Sequence, residues 1–246
     1  MKPAISALTE HYELRLSAQP AELRAAQRLR YEVFNLELNE GLASAAANGY
    51  DSDQFDDVCD HLLVLERATG AVVGTYRLQT GPAAAAHLGY YSEREFDFKP
   101  FESVRPQMVE LGRACVGAAH RNQTVLGLLW KGIAQYARDR GARYLVGCSS
   151  ITSQDEAAGL AVYGQLAQTN LADPQWRTQP NPAWRCSPQS GPAAPTPIPR
   201  LMRAYLAIGV KICGEPAIDR EFRTIDFLTW VDLDALPERV LRKYFT

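Results

Sequence analysis

Glu110 and Arg113 stand inside Met108–Val116 (MVELGRACV), an otherwise apolar run that reads as a buried strand. Burying either charge is costly unless it is paired or hydrogen-bonded, so a strand that carries both points to a site that handles charge. Four more positions share this character. Arg30 lies on an apolar helical stretch four residues before Phe34, so the two share a face. Asp53 and Asp56 sit in YDSDQFDDVCD, a loop that leads directly into a strand, and Arg77 sits inside the strand VVGTYRL. Singly, each has a plain structural reading: a helix surface, a solvated acidic loop, an outward-facing strand residue, a buried ion pair. Together, the arginines, two aspartates and a glutamate would converge at one end of a sheet and form a pocket for a zwitterion. Carboxylates take an ammonium and a guanidinium takes a carboxylate. In a regular strand, positions 110 and 113 face opposite sides, so one shared pocket requires a bulge near Leu111 and Gly112, which glycine permits.

The elements that must position these groups follow from periodicity. A helix is predicted over Ala21–Leu38 and a polar loop over Asn39–Asp60. Strands are predicted over His61–Glu66 and Val72–Gln79, joined by a hairpin turn. An irregular segment (GPAAAAHLGYYSEREFDFKPF) precedes the strand Met108–Val116. A helix over Thr124–Arg140 follows, with Thr124 as its N-cap and Gly141 as its stop, and then a strand over Ala142–Ser149. Thr169–Arg200 holds eight of the fifteen prolines and reads as a surface excursion, because the segment after it is too short to stand alone. A short helix over Leu201–Gly209 and strands over Lys211–Ile218 and Thr224–Val231 close the same sheet. The expected architecture is one α/β domain over 1–246 with a mixed sheet.

Composition narrows the function. The chain has 246 residues, 46% hydrophobic, with a net charge of −2, which allows a full core and argues against nucleic acid as a partner. No run of 18 apolar residues occurs and the N-terminus lacks an apolar signal core, so a cytoplasmic protein is expected. Five scattered cysteines without a CxxC predict no disulfides, and four scattered histidines give no metal-ligand spacing. YDSDQFDDVCD is similar in outline to a calcium loop but lacks the glycine and final glutamate that such a loop uses. Cys115 has no histidine nearby in sequence and reads as a buried structural thiol rather than a nucleophile.

The sequence R-Y-E-V-F, then D-Q-F-D before H-L, then G-T-Y-R-L, then E-L-G-R resembles the acyl-homoserine-lactone synthases and their relatives in the GCN5-related N-acetyltransferase superfamily. YDSDQFDDVCDHLLV, VVGTYRL, GYYSEREFDF, ELGRACV, LLWKGIAQY and the stretch from KICGEP to RKYF look closer still to the ornithine N-acyltransferases of ornithine-lipid synthesis, often labelled "hemolysin-like". That resemblance implies a splayed mixed sheet flanked by helices on both faces. It also implies transfer of a 3-hydroxyacyl chain from acyl carrier protein to the α-amine of ornithine, giving lyso-ornithine lipid.

On this reading Glu110 is the base, its pKa raised by burial and opposed by Arg113. Asp53 and Asp56 take the amino groups, Arg30, Arg77 or Arg113 takes the carboxylate, and Phe34 adjoins the substrate. A backbone N–H near Val116 meets the oxyanion. Coenzyme A enzymes of the superfamily open the following helix with glycines that cradle a pyrophosphate; here Thr124 and Leu126 stand in those places. The single phosphate of phosphopantetheine on acyl carrier protein is therefore the expected donor group, with Arg121 and Lys131 as its contacts, and no cofactor is bound permanently. Arg138, Arg140 and Arg143 are candidates to meet the acidic carrier. Leu126, Leu128, Leu129, Trp130 and the run Leu160–Ala167 are candidates to line an acyl channel. Leu201–Gly209, Trp176 and Trp184 are candidates for peripheral membrane contact. The rival readings are acylation of another amino acid, lactone synthesis, and a non-catalytic lipid-binding or membrane-active protein, for which a basic or strongly amphipathic surface helix would be needed.

Overall fold

The structure is a computed structural model that describes residues 5–187 and 196–244, so part of the expected proline-rich excursion, 188–195, lies outside the described residues. In chain order the strands are β1 (Ser6–Leu8), β2 (Tyr12–Leu16), β3 (Asp60–Glu66), β4 (Val72–Thr80), β5 (Met108–Val116), β6 (Tyr144–Ile151), β7 (Lys211–Ile212), β8 (Ala217–Asp219) and β9 (Thr224–Asp232). The helices are α1 (Pro20–Tyr31), α2 (Ala45–Asn48), α3 (Gly81–Ala86), α4 (Gln123–Asp139), α5 (Glu156–Asn170), α6 (Arg200–Ala207) and α7 (Glu238–Tyr244).

Among the described residues the strands form one mixed sheet in the order β1-β2-β3-β4-β5-β6-β9-β7, with β8 also on β9. Only β5 and β6 run parallel, and α4 supplies the crossover that parallel neighbours need. Their pairing is short: Met108, Val109 and Glu110 face Tyr144, Leu145 and Val146, and the ladder ends there. β6 meanwhile pairs with β9 along its whole length, from Tyr144 opposite Asp232 to Ile151 opposite Ile225. Held on that side, β6 diverges from β5, and the sheet opens into a cleft immediately after Glu110. Gly147 sits at the fork; a Cβ there would fall 2.2 Å from the carbonyl oxygen of Leu111, so only glycine lets the two backbones lie this close where their ladder ends.

α4 covers one face of the sheet. Val125, Leu128, Leu129, Ile133, Tyr136 and Ala137 recur at helical spacing and pack on Leu14, Leu62, Val64 and Leu78. Its N-cap is Asn122, whose Oδ1 accepts from the Val125 N–H at 3.0 Å, rather than Thr124. Gly141 ends it with φ +63°, as expected. The other face is covered by α1 and by the segment between β4 and β5, whose Tyr90, Phe96, Phe98 and Phe101 pack with Met108, Tyr144 and Trp230. α1 continues into a wider π turn over Glu32–Glu37, which carries Phe34.

Several expectations change here. β1 and β2 extend the sheet from an N-terminal stretch too short in its periodicity to predict a strand, and α5 spans Leu160–Ala167, the expected lining of an acyl channel. Val162 and Leu166 of α5 pack against Ile151, Ile225 and Phe227 as ordinary core. Trp176 packs against Trp230 and Phe101 with ring centroids at 4.8 and 6.2 Å, and Trp184 packs half-buried against the same core. No helix among the described residues is long and apolar enough to cross a membrane.

Candidate active site

The Asp53–Asp56 pair is first a local device. Asp53 Oδ1 accepts from the Phe55 N–H at 2.9 Å, and Asp56 Oδ2 accepts from the Asp53 N–H at 3.3 Å, which folds Gln54–Asp57 into a tight turn and turns the carboxylates inward. There they meet guanidinium groups from three separate elements. Arg30 of α1 grips Asp56 with two bonds of 2.8 Å and Asp51 with one of 2.7 Å. Arg77 of β4 donates to Asp53 at 2.6 Å and Asp56 at 3.1 Å, both from Nη1. Arg113 of β5 donates to Asp53 at 3.0 Å, and its Nε lies 3.3 Å from Asp51. Three aspartates balance three arginines, and Arg30, Asp51 and Asp56 are 1%, 0% and 3% exposed. Burial alone would raise Asp56, but the bonded, adjacent Arg30, helped by Arg77, holds it far below the ordinary carboxylate range. Burial is likewise outweighed at Asp53 by Arg77 and Arg113, which hold it low.

Arg30 and Asp56 were expected to contact the substrate. They lie behind the cavity wall instead, with their charges matched by one another, so they fix the geometry rather than offer free contacts. Asp51, overlooked in the sequence, is as deeply engaged as either. Gln27 completes the set by donating to Asp56 at 3.0 Å.

The expected bulge in β5 is present, displaced toward the C-terminus. Gly112 faces Arg77 and Cys115 faces Thr75, so Arg113 and Ala114 together oppose the single residue Tyr76. Arg113 itself takes φ +51°, a left-handed conformation that costs a side-chain-bearing residue about 1–2 kcal/mol. Its pairs with Asp51 and Asp53, and its place 4.4 Å over the Phe222 ring, hold it there. The bulge brings Glu110 and Arg113, three residues apart, to the wall of one cavity of about 250 Å³. Phe34, Arg77, Gln79, Tyr91 and Ser92 line it too. A smaller apolar cavity, lined by Tyr76, Trp130, Leu145, Val231 and Tyr205, continues from it along the β5–β6 fork.

Glu110 is 6% exposed and accepts from the N–H of Tyr91 and of Ser92, each at 2.8 Å, and from the Ser92 hydroxyl at 2.6 Å. Burial raises its pKa; those three bonds and the charge of Arg77 oppose the rise without cancelling it. Arg77 thus takes the opposing part that had been expected of Arg113. Gln79, opposite Glu110 on β4, has both amide atoms unpartnered against the cavity. The far wall is acidic, with Glu40, Asp219 and Asp226. Burial raises Glu40 to about 7 against the lowering effect of its bond from Thr152.

The donor-side candidates are dispersed. Arg121 is exposed, pairs through both terminal nitrogens with Glu37 and donates to the Val116 carbonyl at 3.0 Å. Thr124 and Lys131 lie exposed on α4, and Val116 is half-buried and lines neither cavity. Arg140 pairs with Asp60 and Arg143 with Asp232. Leu128 and Leu129 are core, while Trp130 does reach the cleft. Cys115 is 5% exposed, with burial pushing its thiol to about 12, in keeping with a structural role.

The mixed sheet that forks after its central strand is of the GNAT type, and residues 29–131 match the Acetyltransferase (GNAT) domain family. The acyl-homoserine-lactone synthase LasI has the same fold, with a TM-score of 0.54 at 12% identity over 96% of each chain. The chain is 31% identical to the L-ornithine N(alpha)-acyltransferase of Brucella abortus (strain 2308), over 94% of this chain and 88% of that one. It is also 31% identical to that of Rhodobacter capsulatus, over 96% and 95%. The chain belongs to the L-ornithine N(alpha)-acyltransferase family.

Because Asp53 and Asp56 titrate below their ordinary value of 3.8 in the folded chain, they stabilise it above that pH, and the contribution is lost as pH falls through their folded values. Asp56→Asn is expected to lower the unfolding free energy by about 3–5 kcal/mol at pH 7, because it strands buried guanidinium charge. The loss should be smaller at pH 3. Urea unfolding followed by circular dichroism at both pH values checks this; an unchanged midpoint at pH 7 would contradict it.

Proposed function

We propose that this protein moves a 3-hydroxyacyl chain from the phosphopantetheine thioester of acyl carrier protein to the α-amine of ornithine, giving lyso-ornithine lipid. The observation that carries this reading is the single cavity walled by Glu110, Arg77 and Arg113 and opening into the β5–β6 fork. The fork admits a thin thioester arm between the strands, and the apolar cleft lined by Trp130, Leu145 and Tyr205 receives its acyl end. The carboxylate of the amino acid docks on Arg77 and Arg113, with the Gln79 amide beside it. Asp53 and Asp56 orient those arginines from behind.

Glu110 takes a proton from the α-ammonium, directly or through a water, and its raised pKa suits that task. The freed amine attacks the thioester carbonyl, and the oxyanion is met by backbone N–H groups that the Arg113–Ala114 bulge releases from the ladder, in place of the Val116 region. The C–N bond forms, the C–S bond breaks, and the thiolate leaves with the second amine proton. No acyl-enzyme is needed, and the buried Cys115 is not asked to supply one.

Acyl carrier protein rather than coenzyme A is favoured by Thr124 and Leu126 in the places where glycines would open a pyrophosphate cradle; Arg121, exposed just before α4, is the cation nearest the helix start for one phosphate, while Lys131 is exposed midway along α4. Leu201 on α6, 36% exposed beside the cavity, is suited to a peripheral membrane contact through which an amphipathic product leaves.

Purified protein given 3-hydroxyacyl carrier protein and a pool of amino acids should yield N-acylornithine, identified by mass, with kcat/KM at least about tenfold above that for the same acyl chain on coenzyme A. A different amino acid in the product, or equal use of both donors, would overturn the corresponding part of the reading. Glu110→Gln keeps the shape of the side chain and is expected to lower kcat by about 10²–10⁴-fold with an unchanged melting temperature; near-normal turnover would remove Glu110 as the base.

A further inference from the structure

The cavity is electrically divided. At one end every aspartate is matched by an arginine. At the other, Glu95 and Asp226 are 0% and 4% exposed and, among the described residues, neither forms an ion pair with an arginine or lysine. Asp226 belongs to β9 and lies on the cavity wall; Glu95 lies behind it, and with the Cys148 sulfur their ligand atoms fall within 4.8 Å of one another. One oxygen of each carboxyl, Asp226 Oδ1 and Glu95 Oε1, has no hydrogen-bond partner. Two buried, adjacent carboxyl groups with orphaned oxygens are unfavourable unless a cation or a shared proton joins them. Burial raises both pKa values, helped at Asp226 by the charge of Asp219 and at Glu95 by Asp226 and Asp219; Asp226 reaches about 6, with a bond from Glu95 lowering it, so a proton joins the pair where an incoming cation could take its place.

The position of the pair relative to Glu110 is set by a short relay along one wall. The Ser92 hydroxyl donates to Glu110, the Cys148 thiol lies 3.5 Å from the Ser92 oxygen, and the same thiol lies 3.7 Å from Glu95 Oε2. An amino acid with its α-amine at Glu110 and its carboxylate on Arg77 and Arg113 would therefore run its side chain along this wall toward Asp226.

We propose that Asp226, backed by Glu95, is the subsite that binds the side-chain ammonium of the acceptor and so selects a diamino acid. This rests on the acyl-transfer reading above and deepens it. An ammonium fits better than a metal ion: Cys148 holds its proton, its pKa raised well above the ordinary value by burial and by Glu95, so the group offers carboxyl oxygens and no thiolate. An ammonium needs only acceptors within reach of its three N–H bonds.

The test compares ornithine with norvaline, which has the same carbon stem and no side-chain amine. The wild type should prefer ornithine in kcat/KM. Asp226→Asn should lower that preference by about 30-fold or more, mainly through the KM for ornithine, with Glu95→Gln acting in the same direction. A folded Asp226→Asn protein with an unchanged ratio overturns the subsite. If that variant does not fold, Glu95→Gln and the wild type with δ-N-acetylornithine decide: use of the acetylated compound as readily as ornithine overturns the proposal. Loss of the preference on treatment with EDTA would replace the ammonium with a metal ion. A wild type that acylates neither amino acid overturns the acyl-transfer reading and the subsite with it, whereas an unchanged ratio in the variant overturns the subsite alone.

Discussion

The site depends on a closed set of ion pairs that joins four pieces of chain. α1 contributes Arg30, the loop before β3 contributes Asp51, Asp53 and Asp56, β4 contributes Arg77 and β5 contributes Arg113. Six buried or half-buried charges gain little net stability as a set compared with a well-packed apolar core. What they fix is position. Arg113 holds a left-handed backbone conformation only because two carboxylates wait for it, and that conformation is what turns two residues of one strand toward a single cavity.

The same bulge and the short β5–β6 ladder belong together. β9 pairs with all of β6, while the β5–β6 ladder stops at Glu110, with Gly147 allowing the backbones a last close approach at Leu111. Glu110 therefore stands at the point where the sheet opens, between a polar chamber on the α1 side and an apolar cleft under α6. A charged amine and a long acyl chain require opposite surroundings, and the fork supplies both within the length of one strand. Charge is opposed within the polar chamber, with arginines at one end and, at the other, carboxyls without an arginine or lysine partner among the described residues, which is the arrangement that the proposed diamino-acid acceptor needs.

Much of this was legible in the residues. A glutamate and an arginine inside MVELGRACV, and an arginine inside VVGTYRL, marked the strands that meet at the site, because a buried charge must be answered by another. The answer itself was less legible: Asp56 and Arg30 looked like substrate contacts because sequence gives types and spacing but not which charge takes which partner. Asp226 carries the same signal as Glu110, a carboxylate interrupting the apolar run TIDFLTW, and that rule applied to β9 would have found it. Glu95 could not be found so, since its segment has no periodicity to interrupt. α5 escaped because its alanines and glycines make little contrast between faces, and β1 and β2 escaped because they are short. Donor contacts near Arg121 depend on an incoming partner and leave no internal pattern.

The most direct test of the account is a crystal structure of the protein with a bisubstrate mimic, a stable acyl-pantetheine analogue joined to the α-nitrogen of ornithine. The account predicts the pantetheine arm in the β5–β6 fork, the α-nitrogen within hydrogen-bond reach of Glu110, and the carboxylate on Arg77 and Arg113. Density for the mimic away from the fork, or an α-nitrogen remote from Glu110 with the cavity filled by water, would contradict it.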